Sequence, residues 1–558
     1  MEHRIYGIDS ELGDLDCRWD VLVENIGLMV NLRSWFWNEV TAVWCVIHPV
    51  TRLRKLSTVG LVLVLNCTAC VSSDEPSVAR SGVDGSLRYE LVIANGHVID
   101  PETGLDAVRH IGIENGVIVA LSETALDIAD TGLLVDATEL VVAPGFIDLH
   151  AHGQDDASNR YQAMDGVTTA LELEVGVFPV DRWYDERGGE ALINYGASVS
   201  HQGARVRAMR SAFASVNSEG TFSLGESSDD TLYRAASDGE LARLKELMEQ
   251  GLHAGGIGFG FGLSYTPGVS HRELLQLFHV AAVSDVPSFV HLRSARDFAH
   301  GGPLAPFQEV IANAASTGAS LHIVHMNSTS GTRADEALAL IRGAREHGVD
   351  VTTEAYPYTA SASLIESPLF DSWEDRAASA YRTLQWVNTG ERLTSETFAA
   401  YRREGGWVIM HGRSEATNEW IVSQPDVIAA SDGIPFSAGR AHPRGAGTFS
   451  RILGHYVRDR GALSLSDAIR KMTLLPAQRL EVVVPGMTRK GRIQVGSDAD
   501  LTIFDPARII DRATYEDPDQ YSAGISHVLV GGTFIVRDGV LQEDARPGRP
   551  LRGRHLVP

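Results

Sequence analysis

Between residues 146 and 432 short apolar runs alternate with helical patterns, and this alternation limits the fold more than any other feature of the chain. The runs Phe146–His152, Thr169–Gly176, Tyr195–His201, Gly255–Gly260, Ser288–Arg293, His322–Met326, Val351–Tyr356 and Val427–Asp432 read as strands. Stretches between them, such as Asp238–Glu249 and His271–Phe278, repeat apolar residues at helical spacing. Eight such strand–helix units predict a TIM (β/α)8 barrel of class α/β, spanning 144–484. Residues 363–425, between the seventh and eighth runs, read as an insertion that could serve as a lid.

The flanks have a different texture. Glu90–Ala94, Asn95–Asp100 and Ile111–Val119 are short β-type runs, and Asn95-Gly96 and Asn115-Gly116 have hairpin-turn composition. The same texture returns in Ile493–Asp505 and His527–Gly539. Neither flank can close a core alone. The expectation is one small β-sandwich built from 89–143 and 485–545.

A formal net charge of -24, with no basic stripe, excludes nucleic acid as a partner class. Cys17, Cys45, Cys67 and Cys70 are the only cysteines, so neither a disulfide framework nor a thiolate metal site falls in the barrel. Arg52, Arg54 and Lys55 precede the apolar run Val59–Leu65, which leads into Thr68-Ala69-Cys70. This reads as a secretory signal over 50–70, with Cys70 as the lipidated residue of a bacterial lipoprotein and 71–88 as a linker. The expected location is the periplasm or cell envelope, touching the membrane only through that anchor. Residues 1–49 fit no such signal and read as lying upstream of the true start.

Ala143-Pro-Gly-Phe-Ile-Asp-Leu-His-Ala-His152 ends in two histidines one residue apart. Alternate residues of a strand leave on the same face, so His150 and His152 point together. Glu174, His291, His325 and Asp432 stand at later strand ends, with Glu172 on the same face as Glu174. Barrel enzymes place their chemistry at these ends. Imidazoles with carboxylates suit zinc or a similar transition metal, as one or two ions. Such an ion lowers the pKa of bound water from about 15.7 toward roughly 7. Asp432, beside that water, is placed to act as general base and then to protonate the leaving amine. His201 and His411 also end apolar runs and read as structural or rim residues. The glycine run 255–262 lacks the Lys-Ser/Thr of a phosphate loop and reads as close packing.

The chain resembles the amidohydrolase superfamily, and more closely its D-aminoacylase (N-acyl-D-amino-acid deacylase) group. The resemblance rests on Pro144–His152, Gly166-Val-Thr-Thr169, Glu354-Ala-Tyr-Pro-Tyr-Thr-Ala360, Ser431-Asp-Gly433, His442–Phe449, Arg470–Ala477 and Gly496–Leu501, and covers 89 to about 540. It implies zinc-dependent hydrolysis of the amide bond of small N-acylated amino acids, of D configuration, with Asp432 as the general base. It further implies that Arg444 holds the substrate's α-carboxylate through a bidentate fork, helped by Tyr356 and by Ser361 or Ser363. Asn327 stands where the family carries a substrate-side lysine. D-aminoacylases bridge their metals with a cysteine after the Gly-Val-Thr-Thr strand, and other superfamily members use a carboxylated lysine. This chain has no such cysteine, and Lys245, its only lysine between 56 and 470, sits in a helical pattern. A carboxylate must bridge instead: Glu174, one position before the place of the cysteine, or Glu172. Alternatives on the same barrel are a cyclic amidase of hydantoinase or dihydroorotase type, or a dipeptidase. From another class, the alternative is an inactive surface lipoprotein.

Overall fold

The computed structural model describes residues 89–210, 230–294 and 302–557. Cys70, the signal-like run and residues 71–88 lie outside these residues. Local sequence sets the helix starts. Ser237 accepts from Glu240 N while Glu240 reaches back to Ser237 N, a capping box that opens Asp238–His253. That helix buries Leu241, Leu244, Met248 and Leu252 on one face and runs past the expected end at Glu249. Ser270 caps His271–Val283 by accepting from Glu273 N. Ser200 caps the helix His201–Met209, so the third strand stops at Ser200 and His201 heads a helix.

Eight parallel strands pair in chain order: Phe146–Asp148, Val167–Val177, Asn194–Ser200, Phe259–Gly262, Pro287–His291, Ser320–Ile323, Val351–Ala355 and Ile428–Ala429. A parallel bridge between Ala151 and Gly433 joins the last strand to the first. The fourth strand lies later than expected, because Gly255 (φ 104°) turns the chain out of the preceding helix. Gly260 answers a packing demand rather than a phosphate. A Cβ there would stand 2.6 Å from the Glu174 carbonyl oxygen.

The two flanks form one nine-stranded sheet, in which Val141–Pro144 pairs with Leu501–Phe504 and so joins the ends of the chain. Leu91, Ile93, Ile111, Val142, Leu501 and Leu529 share its core, as a sandwich built from both ends requires. One turn assignment is corrected. Asn115-Gly116 makes the expected hairpin, but Asn95-Gly96 lies inside the strand Tyr89–Asp100. Asn95 (φ 60°) forms a bulge there, and the strand changes parallel partner from Ile128–Asp136 to Val141–Pro144. Gly96 is needed because a Cβ would lie 2.5 Å from Val142 Cγ2.

The insertion has its own antiparallel sheet, Ala360–Leu364, Trp407–His411 and Leu384–Trp386, over a core of Ile365, Phe370, Tyr381, Trp386 and Phe398. Beyond residue 545, where the sandwich was expected to end, the tail runs back along the barrel. Leu551 N donates to Tyr195 O (2.7 Å), and Gly553 N to Gly255 O (2.9 Å). Among the described residues no helix is long and apolar enough to cross a membrane.

Asp165, fully buried at the end of helix Asp156–Met164, accepts from Phe449 N (2.8 Å), Ser450 N (3.0 Å) and Ser522 Oγ (2.9 Å). Removing it strands buried donors, each costing about 1–3 kcal/mol. Asp165→Ala is therefore expected to lower the unfolding free energy in urea by at least about 3 kcal/mol. Exposed Val108→Ala should stay within about 0.5 kcal/mol.

Candidate active site

The seam that closes the barrel also carries candidate ligands. Asp432 N donates to His150 O (2.8 Å), and His152 N donates to Gly433 O (2.8 Å). Asp148, in the first strand, accepts from both His150 N (3.1 Å) and Ser431 N (3.0 Å), and burial lifts its pKa to about 6. Asp432 (φ 52°) and His325 (φ 31°) both have positive φ, a conformation uncommon outside glycine that Asp, Asn and His adopt more readily than other side chains. Such strain concentrates where a side chain must be aimed at a particular point.

Glu174 sits at the centre. Its Oε2 lies 2.7 Å from His150 Nε2 and 3.0 Å from His152 Nε2. Its Oε1 contacts His291 Nδ1 and lies 3.2 Å from His325 Nε2. Asp432 Oδ1 is 3.3 Å from His150 Nε2 and 3.4 Å from His152 Nε2. One carboxylate therefore joins two groups, His150–His152–Glu174–Asp432 and Glu174–His291–His325, each with donor atoms close enough to hold a metal ion.

Glu172 occupies a different place, accepting from His152 Nδ1 (2.8 Å). Glu354 does the same for His150 Nδ1 (2.5 Å) and also meets His322 Nε2 (3.0 Å). Ser328 Oγ bonds His325 Nδ1 (2.9 Å). These bonds fix which imidazole nitrogen faces the centre. Glu354 had no role in the sequence reading. Its signal was its inward register on the seventh strand, beside His322 on the sixth.

The electrostatics favour positive charge at the centre. Burial opposes charge on Glu174, yet His150 and His291 hold its pKa well below the usual carboxylate range. Asp432 is likewise held down, against burial, by Arg444 and His150. Against burial, Asp432 and Glu174 raise the pKa of His150, and Glu172 and Asp432 raise that of His152, so the carboxylates favour positive charge at this centre, carried by protons or by a metal ion. A set of nitrogen and oxygen donors without thiolate fits a divalent metal.

A cavity of about 420 Å³ opens over Glu174 and Asp432. Ser361 and Ser363 line it, as do the insertion's Leu364, Leu369, Trp373, Trp407 and Met410. Tyr356 and Arg444 are buried behind this lining, with the Arg444 guanidinium carbon 4.6 Å from the Tyr356 ring centre and its Nη1 2.8 Å from Asp432 Oδ2. Asn327 departs from its expected substrate-side place. It follows His325 into the short helix Met326–Thr329, and its Nδ2 donates to Tyr356 O (2.9 Å) and Asn418 Oδ1 (3.1 Å), tying loops together. Ser328 and Thr329 of that helix face the cavity instead. His201 is held by Glu273 (2.9 Å) and His411 by Gln385 (2.8 Å), both structural contacts.

The amidohydrolase family profile matches residues 200–536. The chain belongs to the amidohydrolase family. An N-acyl-D-glutamate deacylase of Alcaligenes xylosoxydans xylosoxydans is 30% identical, covering 83% of this chain and 97% of that protein. A D-aminoacylase from the same organism is 29% identical over 81% of this chain and 95% of its own length. Among solved structures, N-acyl-D-glutamate deacylase from Bordetella bronchiseptica, complexed with zinc and a phosphonate mimic of the tetrahedral intermediate, superposes with a TM-score of 0.70. It is 27% identical and covers 83% of this chain and 100% of that one. Within the family, this chain falls in the D-aminoacylase group.

Losing a carboxylate that orients a ligating histidine commonly costs 10–100-fold in metal affinity. Glu354→Gln and Glu172→Gln are each expected to weaken metal binding by about that factor in a chelator competition titration. Glu174→Gln should lose metal from both groups.

Proposed function

We propose that the protein hydrolyses the amide bond of N-acyl-D-amino acids, releasing a carboxylate and a free D-amino acid. The observation that carries this reading is Glu174 joining two histidine groups on a cavity floor beside Asp432, in a chain aligned along 97% of an N-acyl-D-glutamate deacylase. We assign the metal as zinc, held by His150, His152, Glu174, His291, His325 and Asp432. The imidazole–carboxylate donor set and the zinc-bound relative support that choice. When bound, such an ion acidifies water and polarises the substrate carbonyl.

The protein's own groups do the rest. Asp432, ionised and on the cavity floor, takes the proton of the attacking water and passes it to the departing amine nitrogen. Glu172 and Glu354 keep His150 and His152 in one orientation throughout. We assign the α-carboxylate to Arg444, which lies buried with Tyr356 behind the cavity lining and beside Asp432, with Ser361 and Ser363 on the cavity side. The apolar wall of Leu364, Leu369, Trp407 and Met410 favours an apolar substituent on the substrate. The sequence of residues 50–70 supports an envelope location with Cys70 as anchor.

Purified protein should hydrolyse N-acetyl-D-amino acids and leave the L series, hydantoins and dipeptides untouched or far slower. Absence of turnover on every N-acyl-D-amino acid ends this reading. Chelation should abolish activity, and elemental analysis of the active protein should return zinc. Asp432→Asn is expected to lower kcat by roughly 10²–10⁴-fold.

A further inference from the structure

Arg444 is buried, and its Nε, Nη1 and Nη2 have no hydrogen-bond acceptor among the described residues. Its single ionic neighbour, Asp432 Oδ2 at 2.8 Å, approaches without hydrogen-bond alignment. Tyr356 lies between two guanidinium groups, its ring centre 4.6 Å from that of Arg444 and 5.1 Å from that of Arg413. Arg413 Nη2 donates to Tyr356 Oη (2.9 Å) and to Tyr358 O (3.0 Å).

A guanidinium can only donate. The Tyr356 oxygen is therefore the acceptor in its bond to Arg413, and its proton is left to be given elsewhere. No described residue takes that proton. Arg413 has no carboxylate partner among the described residues either, and its Nε is unpaired. Arg293, in the cavity wall, is the contrast: Glu309 meets its Nε (3.1 Å) and Nη2 (3.2 Å). Nearby His442 has its pKa pushed well down by burial and then by the positive charges of Arg444 and Arg413.

We propose that Arg413 is a positioning residue for the substrate carboxylate. It turns the Tyr356 hydroxyl into a donor and adds a second positive charge behind the anion that Arg444 receives. This rests on the deacylase reading. Arg413 follows the strand Trp407–His411, so the insertion does more than cover the cavity. It sends one cation back to the recognition end of the site.

The test compares wild type, Arg413→Met and Arg413→Lys, all zinc-loaded. The substrate is whichever of N-acetyl-D-leucine and N-acetyl-D-glutamate the wild type turns over faster. Arg413→Met is expected to raise KM about tenfold with kcat within about threefold, as loss of a charge-supported contact would. Arg413→Lys, which keeps the charge, should recover part of that loss. Zinc content and thermal midpoint should match the wild type in both variants. An unchanged KM in Arg413→Met overturns the proposal. So does a fall in kcat alone, or a loss of zinc or of folding that accounts for the change. A wild type inactive on every N-acyl-D-amino acid removes the deacylase reading and this inference with it. An active wild type with an indifferent Arg413→Met removes only the inference.

Discussion

The barrel of this protein closes at its candidate active site. The first and last parallel strands are short, Phe146–Asp148 and Ile428–Ala429, and little regular ladder joins them. The join is made by a bridge from Ala151 to Gly433, by Asp432 N on His150 O, and by Asp148 gripping the backbone on both sides. A metal held by His150, His152 and Asp432 would clamp the same seam. Folding and metal binding are then linked, since a ligand of the folded state stabilises it. The left-handed backbone at Asp432 is tolerated because the seam fixes it from two directions.

A carboxylate at the centre changes the character of the site. Glu174 offers two oxygens that face opposite ways, so one side chain serves both histidine groups. It is built into the long second strand and needs no added carbon dioxide, as a carboxylated lysine would. Without a thiolate, the ligand set has no sulfur to oxidise. Glu172 lies two residues earlier on the same face, where it meets His152 Nδ1 and accepts from Val175 N (3.3 Å). A strand period of two puts both glutamates on the inner face, and position along the strand separates their roles.

The insertion between the seventh and eighth strands has its own sheet and core, so it can hold a rigid apolar wall over the cavity. Trp373 and Trp407 present aromatic surface there, while Ser361 and Ser363 keep polar groups near the floor. Much of the apolar wall over the cavity is thus carried on a module distinct from the ligand-bearing barrel strands.

Much of this was legible in sequence, because periodicity and residue chemistry are local. The alternating runs determined the barrel, and the two β-textured flanks determined a domain made from both ends. The strand-end histidines with Glu174 and Asp432 marked the candidate centre. Other features depended on the folded chain. Asn95-Gly96 has the residues of a hairpin, but pairing with two successive partners made it a bulge. The fourth strand moved because Gly255 exits a helix whose length is set by packing. Asn327 turned away because His325 takes a left-handed backbone to reach the centre. Glu354 and Arg413 gained their places only when residues far apart in the chain met. Sequence sets what each residue can do; which partner it finds across 50 to 300 positions is decided by closure of the barrel, as in the bonds Arg413–Tyr356 (57 apart) and Asp148–Ser431 (283 apart).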